Sequence, residues 1–241
     1  MTTETVLREK LATCTRILAM QELIGLFGHI STYDPETGRV YMCPGMGSEK
    51  TTVRPDDILP LDLDGKLLEG DAHVPIEWPI HTVLHAKRAD ALAIAHLHSP
   101  YATLFSIADR EYRPVTLQGS IFGAGIPLYD QPHLVKTPEQ GKDLAKIIGD
   151  GRALFMRGHG VVIVARDVEE MLFASLLLED EARKWVMASA LGEVRPFSAE
   201  DCAAFGAEAD LPRRAHRAWP YLKGMEERWN GQPGTGAIAF C

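Results

Sequence analysis

Ala91-Leu92-Ala93-Ile94-Ala95 is an apolar run that ends in His96-Leu97-His98. The run reads as a buried strand. Alternate side chains of a strand share a face, so His96 and His98 point the same way, about 6–7 Å apart along the chain. Two imidazoles at that spacing can converge on one cation. A third histidine, His159, lies in Arg157-Gly158-His159-Gly160 between two further apolar runs, and a carboxylate, Glu77, stands at the start of an expected helix. Three histidines and a carboxylate from separate elements suit a catalytic metal site with an open position. An isolated His-x-His is often no more than two polar side chains at a strand end, and His159 on its own suits a glycine-flanked turn.

The surrounding pattern alternates short strands with helices. Residues 4–24 carry apolar side chains at helical spacing, and Gly25 and Gly28 end the segment. Residues 28–33 and 39–42 read as a hairpin about the Asp34-to-Gly38 turn. Residues 44–50 form a glycine-rich loop, and a second hairpin turns at Asp64-Gly65. Glu77 to Arg88 reads as a helix, with Pro79 tolerable because it falls in the first turn. Further expectations are a helix near 100–108, short strands at 115–118 and 126–129, and a helix over 137–149. Strands at 153–156 and 161–164 flank His159. Asp167 and Glu170 form a capping box that opens a long helix to about Leu191. Ser198 starts another helix, and residues 214–241 read as a packing tail. Hairpins mixed with helices argue for one α/β domain over 1–241 on a largely antiparallel or mixed sheet.

Composition narrows the function classes. With 46% hydrophobic residues the 241-residue chain can bury a core, yet it holds no apolar run long enough to span a bilayer. The charged N-terminal segment lacks the apolar stretch of a signal peptide, so a cytoplasmic location is the expectation. Four scattered cysteines without Cys-x-x-Cys suit reduced thiols. A net charge of −8 with no dense basic stretch argues against nucleic acid as a partner.

Five motifs follow one another in order: Gly28-His-Ile-Ser31, Pro44-Gly-Met-Gly47, Glu77 with His81, the strand ending at His98, and Gly158-His-Gly160. In this order they resemble the class II aldolase/adducin superfamily over roughly residues 5–192. The resemblance implies a three-layer α/β/α fold around a mostly antiparallel sheet, and a homotetramer with active sites between neighbouring subunits. It implies one divalent metal per chain (zinc, manganese or cobalt, with iron as a further candidate) on His96, His98 and His159. Glu77 is then the acid/base carboxylate and a further candidate ligand.

Departures from the family pattern point to one branch. Members acting on sugar phosphates carry two serines just before the glutamate, where this chain has Pro75 and Ile76, neither able to donate a side-chain hydrogen bond. His29 replaces an asparagine, and no tyrosine sits at 116–118, where the aldolases draw one from a neighbouring chain. A kept metal site with a dismantled phosphate clamp resembles the decarboxylase branch, which acts on hydroxylated aromatic carboxylates. Loss of CO2 beside a phenolic carbon leaves enolate- or quinoid-like charge that a metal can stabilise. Glu77 or His29 is the expected proton donor to carbon, and Ser48, Lys50 and Ser31 are the expected substrate contacts. The alternatives are an aldolase for an unphosphorylated hydroxy-carbonyl compound and, from a different class, a non-catalytic adducin-like scaffold.

Plainer roles accompany the rest. Glu77 also suits the helix N-terminus as a charge, and His81, four residues on, suits either the site or the core. Glu179 and Glu181 read as a solvated face, and Trp219, Tyr221 and Trp229 as cover for a subunit interface.

Overall fold

Seven strands form one sheet in the computed structural model, which describes residues 2–229. The strands are β1 (His29–Asp34), β2 (Arg39–Met42), β3 (Leu59–Leu61), β4 (Ala93–Leu97), β5 (Leu128–Tyr129), β6 (Ala153–Met156) and β7 (Gly160–Ala165). Their order is β3-β2-β1-β4-β7-β6-β5, antiparallel throughout except for the parallel pair β5–β6. The helices are α1 (Thr3–Met20), α2 (Trp78–Lys87), α3 (Pro138–Ile148), α4 (Val168–Ser189), α5 (Ala199–Glu208) and α6 (Leu211–Arg228). Among the described residues no helix is long and apolar enough to cross a membrane.

Period-two alternation sorts the central strands into two faces. Ala93, Ala95 and Leu97 of β4 and Val161 and Ile163 of β7 pack with α1 and α4 in the larger core. Ile94 of β4 and Val162 and Val164 of β7 point the other way, onto Ile80 and Leu84 of α2 and Leu144 and Ile148 of α3. Helices therefore cover both faces, as the expected three-layer arrangement requires. His96 and Ile94 share the face beneath α2. The strand and helix placements around the site agree with the sequence reading to within a few residues.

Several elements differ. The segment expected to be helical near 100–108 is a 3₁₀ turn at Ala102–Ser106, and the strand expected at 115–118 gives way to a second 3₁₀ turn at Gln118–Phe122. The 61–68 hairpin shrinks to a single bridge between Leu61 and Leu67. Asp167 caps α4 by accepting from the Glu170 amide at 2.7 Å, but Glu170 does not close the box. Its carboxylate instead pairs with Arg152 at 2.7 Å and accepts from the Arg166 amide. The stretch from 214 belongs to α6, whose apolar stripe buries Leu211, Ala215 and Leu222; residues 230–241 of the expected tail, Cys241 included, lie outside the described residues. Trp219 and Trp229 are partly buried against the larger core of the same chain.

Candidate metal centre

β4 ends at Leu97, one residue short of His98. The backbone leaves the ladder there, and the His98 amide donates to the Leu23 carbonyl at 3.1 Å. The His98 ring nevertheless turns toward His96, with centroids 5.1 Å apart. His159 arrives from the turn between β6 and β7, its ring 4.8 Å from that of His96 and 5.0 Å from that of His98. One ligating nitrogen from each of the three lies within 4.8 Å of the others.

Glu77 occupies the N-cap position of α2 but makes no capping bond. Its carboxylate points inward instead. Oε1 accepts from the Val135 amide at 2.9 Å, and Oε2 stands 3.4 Å from Nε2 of both His96 and His159. Burial alone would raise this carboxyl; the His159 and His96 rings outweigh it and hold the group well below the ordinary carboxylate range. Burial, with His96 and His159 alongside, pushes His98 down to about 4. The cluster therefore sets three imidazole rings beside one carboxylate.

His96 is fully buried, yet neither of its ring nitrogens has a hydrogen-bond partner. A buried polar atom left unpaired costs about 1–3 kcal/mol. A cation accepting one of those lone pairs removes that cost, so the donor set fits a divalent metal. Nitrogen and oxygen donors of this mixture suit zinc, manganese, cobalt and iron alike.

The remaining expected site residues divide. His29 is brought in: it is the direct cross-strand partner of His96, their rings are 5.1 Å apart, and one ligating atom each of His29, Glu77 and His96 falls within the same 4.8 Å. Ser31 is not. It is fully buried, and its hydroxyl lies between His81 Nδ1 and His85 Nε2 at 2.7 and 2.8 Å. Lys50 is also buried, and its ammonium donates to the carbonyls of Pro44 and Gly45, so it braces the glycine-rich loop from within. Ser48 faces a separate cleft of about 520 Å³, which none of Glu77, His96, His98 and His159 lines. Five carboxylates line that cleft (Glu49, Asp56, Asp57, Glu69 and Asp71), an unfavourable setting for an anion.

Two features of the site, His85 and Phe27, and two carboxylates away from it, Glu179 and Glu181, escaped the sequence reading. His85 lies one turn beyond His81 on α2, and the Glu77/His81/His85 spacing of four was the available signal. Phe27, 56% exposed, stacks on His98 with ring centroids 5.7 Å apart; the two help line a hollow of about 370 Å³. Glu179 and Glu181 are structural anchors. Glu179 accepts from the amides of Tyr101 and Ala102, both at 2.9 Å. Glu181, fully buried, accepts from the amides of Val115 and Thr116 and from the Thr116 hydroxyl. Burial raises both carboxyls.

The family model described as the class II aldolase and adducin N-terminal domain matches residues 9–186. A 3,4-dihydroxyphthalate decarboxylase from Arthrobacter keyseri is 30% identical over 184 residues, spanning 71% of this chain and 74% of that protein. An L-fuculose phosphate aldolase from Methanocaldococcus jannaschii is 28% identical over 170 residues, 70% of this chain and 90% of its own. Among solved structures, an aldolase II superfamily protein from Pseudomonas syringae superposes with a TM-score of 0.83 at 20% identity, covering 95% of this chain and 94% of that one. With the family match running through every element that carries the histidine cluster, the chain belongs to the class II aldolase and adducin family.

Proposed function

We propose that this chain is a metal-dependent carboxy-lyase acting on a hydroxylated aromatic carboxylate. The carrying observation is a donor cluster beside a helix start that has no phosphate clamp. Glu77, His96, His98 and His159 converge, while Pro75 is buried against Gly45 and Ile76 exposes an apolar side chain. Neither can hold a phosphate by its side chain. Phe27 adds an aromatic face beside His98, which suits a flat ring. A relative named for decarboxylating a dihydroxyphthalate matches at 30% identity and agrees with this reading.

His96, His98 and His159 would hold the cation, which supplies a Lewis acid for the negative charge that builds as CO2 leaves. The protein's own groups manage the proton. Glu77 is fixed through Oε1 by the Val135 amide, and Oε2, the oxygen that faces His96 and His159, is the atom turned toward the site. As an ionised carboxylate it can take the substrate's hydroxyl proton. When the carbon–carboxylate bond breaks, its electron pair stays on the ring carbon, and the same proton can be returned there. His29 stands close enough to share that task. Sites between subunits of a homotetramer are part of the proposal, to be checked by sedimentation.

The test is CO2 release from a panel of ortho-hydroxy aromatic acids by protein reconstituted with zinc, manganese or cobalt. Turnover of at least one acid is expected, abolished by chelation. No CO2 from any of them, with cleavage of an unphosphorylated hydroxy-ketone, would favour aldol chemistry instead. The match to an aldolase at 28% identity keeps that second reading in the experiment.

A further inference from the structure

β1 and α2 face one another through polar side chains in an otherwise apolar layer. His29, Ser31 and Tyr33 recur every second residue on the strand, and Glu77, His81 and His85 every fourth on the helix. His85 Nδ1 meets the Ala91 carbonyl at 2.5 Å, and His85 Nε2 meets the Ser31 hydroxyl at 2.8 Å. Ser31 Oγ meets His81 Nδ1 at 2.7 Å, and His81 Nε2 meets His29 Nδ1 at 2.8 Å. One unbroken chain thus runs from a main-chain carbonyl to the edge of the metal centre.

The carbonyl end sets the direction of every bond. A carbonyl only accepts, so His85 Nδ1 carries the hydrogen. A neutral imidazole has one N–H, so His85 Nε2 is a lone pair and Ser31 must donate to it. The hydroxyl has no second hydrogen, so Ser31 accepts from His81 Nδ1. His81 Nε2 is then a lone pair, and His29 Nδ1 must donate to it. Only Nε2 of His29 is left to face Glu77 and His96.

We propose that His85, Ser31 and His81 are positioning residues that lock His29 in its Nδ1–H tautomer, so that its Nε2 meets the substrate as a hydrogen-bond acceptor. Burial disfavours charge along the chain, lowering His81 well below the ordinary histidine value and His85 to about 4, which keeps the one-hydrogen arithmetic valid near neutral pH. An unlocked ring could present an N–H to the metal centre, where it would compete with the cation for His96 and repel a substrate hydroxyl donor. The matching ligand chemistry is a hydroxyl or a water, each with a hydrogen to give. An ether at the same place has none.

Neutron diffraction from deuterated crystals tests the lock directly. Deuterons are expected on Nδ1 of His29, His81 and His85, with none on Nε2 of any of them. A deuteron on His29 Nε2 with Nδ1 bare overturns the proposal. The kinetic arm rests on the lyase reading and uses an ortho-hydroxy acid that the wild type decarboxylates. Ser31→Ala is expected to lower kcat by about 10- to 100-fold with KM little changed, and Ser31→Thr, which keeps the hydroxyl, to recover most of it. Full activity in Ser31→Ala overturns the positioning role. Wild-type protein inert toward every acid would count against the lyase reading alone, and the neutron map would still decide the tautomer.

Discussion

Leu97 and Gly160 approach so closely that a Cβ on Gly160 would lie 2.2 Å from the Leu97 carbonyl oxygen. This contact sits where β4 and β7 meet, one residue from His98 and one from His159. The glycine after His159 is therefore a packing requirement of the histidine cluster. Gly160→Ala is expected to force β7 off β4, costing about 1–3 kcal/mol and weakening metal affinity by about 10- to 100-fold. Gly158→Ala is the control: Gly158 has φ +60° but open space around its Cβ position, so the cost is about 1 kcal/mol of backbone strain with metal affinity kept. Thermal melts and metal titration of both variants separate the two. Equal metal affinities would remove the packing argument.

Glu77 is held at one oxygen by the Val135 amide and turns the other toward His96 and His159, which separates anchoring from chemistry. Glu77→Gln keeps an acceptor for the Val135 amide and preserves the shape at the start of α2. Metal content is expected to stay within about twofold of wild type, because His96, His98 and His159 are untouched. Turnover is expected to fall by about 10²–10⁴-fold, the usual worth of a positioned acid–base group. Elemental analysis beside the CO2 assay reads both, and an active Glu77→Gln enzyme would take this residue out of the mechanism.

Neither ring nitrogen of the fully buried His96 makes a hydrogen bond, and Nε2 has only Glu77 Oε2 nearby at 3.4 Å, so its contribution is expected to come through the cation. Wild-type protein is expected to carry about one divalent ion per chain, and His96→Ala almost none, with turnover lost. A cation that binds only the folded state adds about 2.7 kcal/mol at one hundred times its dissociation constant. Chelation should therefore lower the melting temperature of wild type and leave His96→Ala unchanged. A variant that still holds a full equivalent of metal would exclude His96 as a ligand.

The cluster was legible because each of its members is announced locally. His96 and His98 follow a strand's period of two, His159 sits between glycines that punctuate two apolar runs, and Glu77 precedes a helical apolar pattern. What failed depends on which element lies across from which. Ser31 looked available because nothing local reveals that α2 covers that face of β1. Glu181 looked solvated in a run of acids, yet its partners, Val115 and Thr116, lie 66 and 65 residues away. α6 was obscured by composition. Pro212 falls in its first turn, where a missing N–H costs nothing, and Pro220 stands inside the helix.

His85 makes the acid sensitivity of the fold predictable. Burial lowers it from 6.5 to about 4, with the Ala91 carbonyl only partly opposing. Above pH 6.5 the ring is neutral in both folded and unfolded chains, so it carries no penalty. Between 6.5 and 4 the unfolded chain binds the proton and the folded one does not, so stability falls as the pH falls. Below about 4 both are protonated and the loss is complete. The gap corresponds to roughly 3 kcal/mol from this one residue. His81 shifts in the same direction and adds to the slope. Asn at position 85 can keep an N–H aimed at the Ala91 carbonyl but cannot take up a proton. Urea unfolding of metal-free wild type and His85→Asn at pH 7 and pH 4 is the measurement. The variant is expected to gain roughly 3 kcal/mol relative to wild type on moving to pH 4, because the carboxylates shared by both chains cancel in the difference. Parallel pH profiles would mean that His85 takes up its proton at the same pH in the folded and unfolded chains, and burial would no longer account for the acid sensitivity.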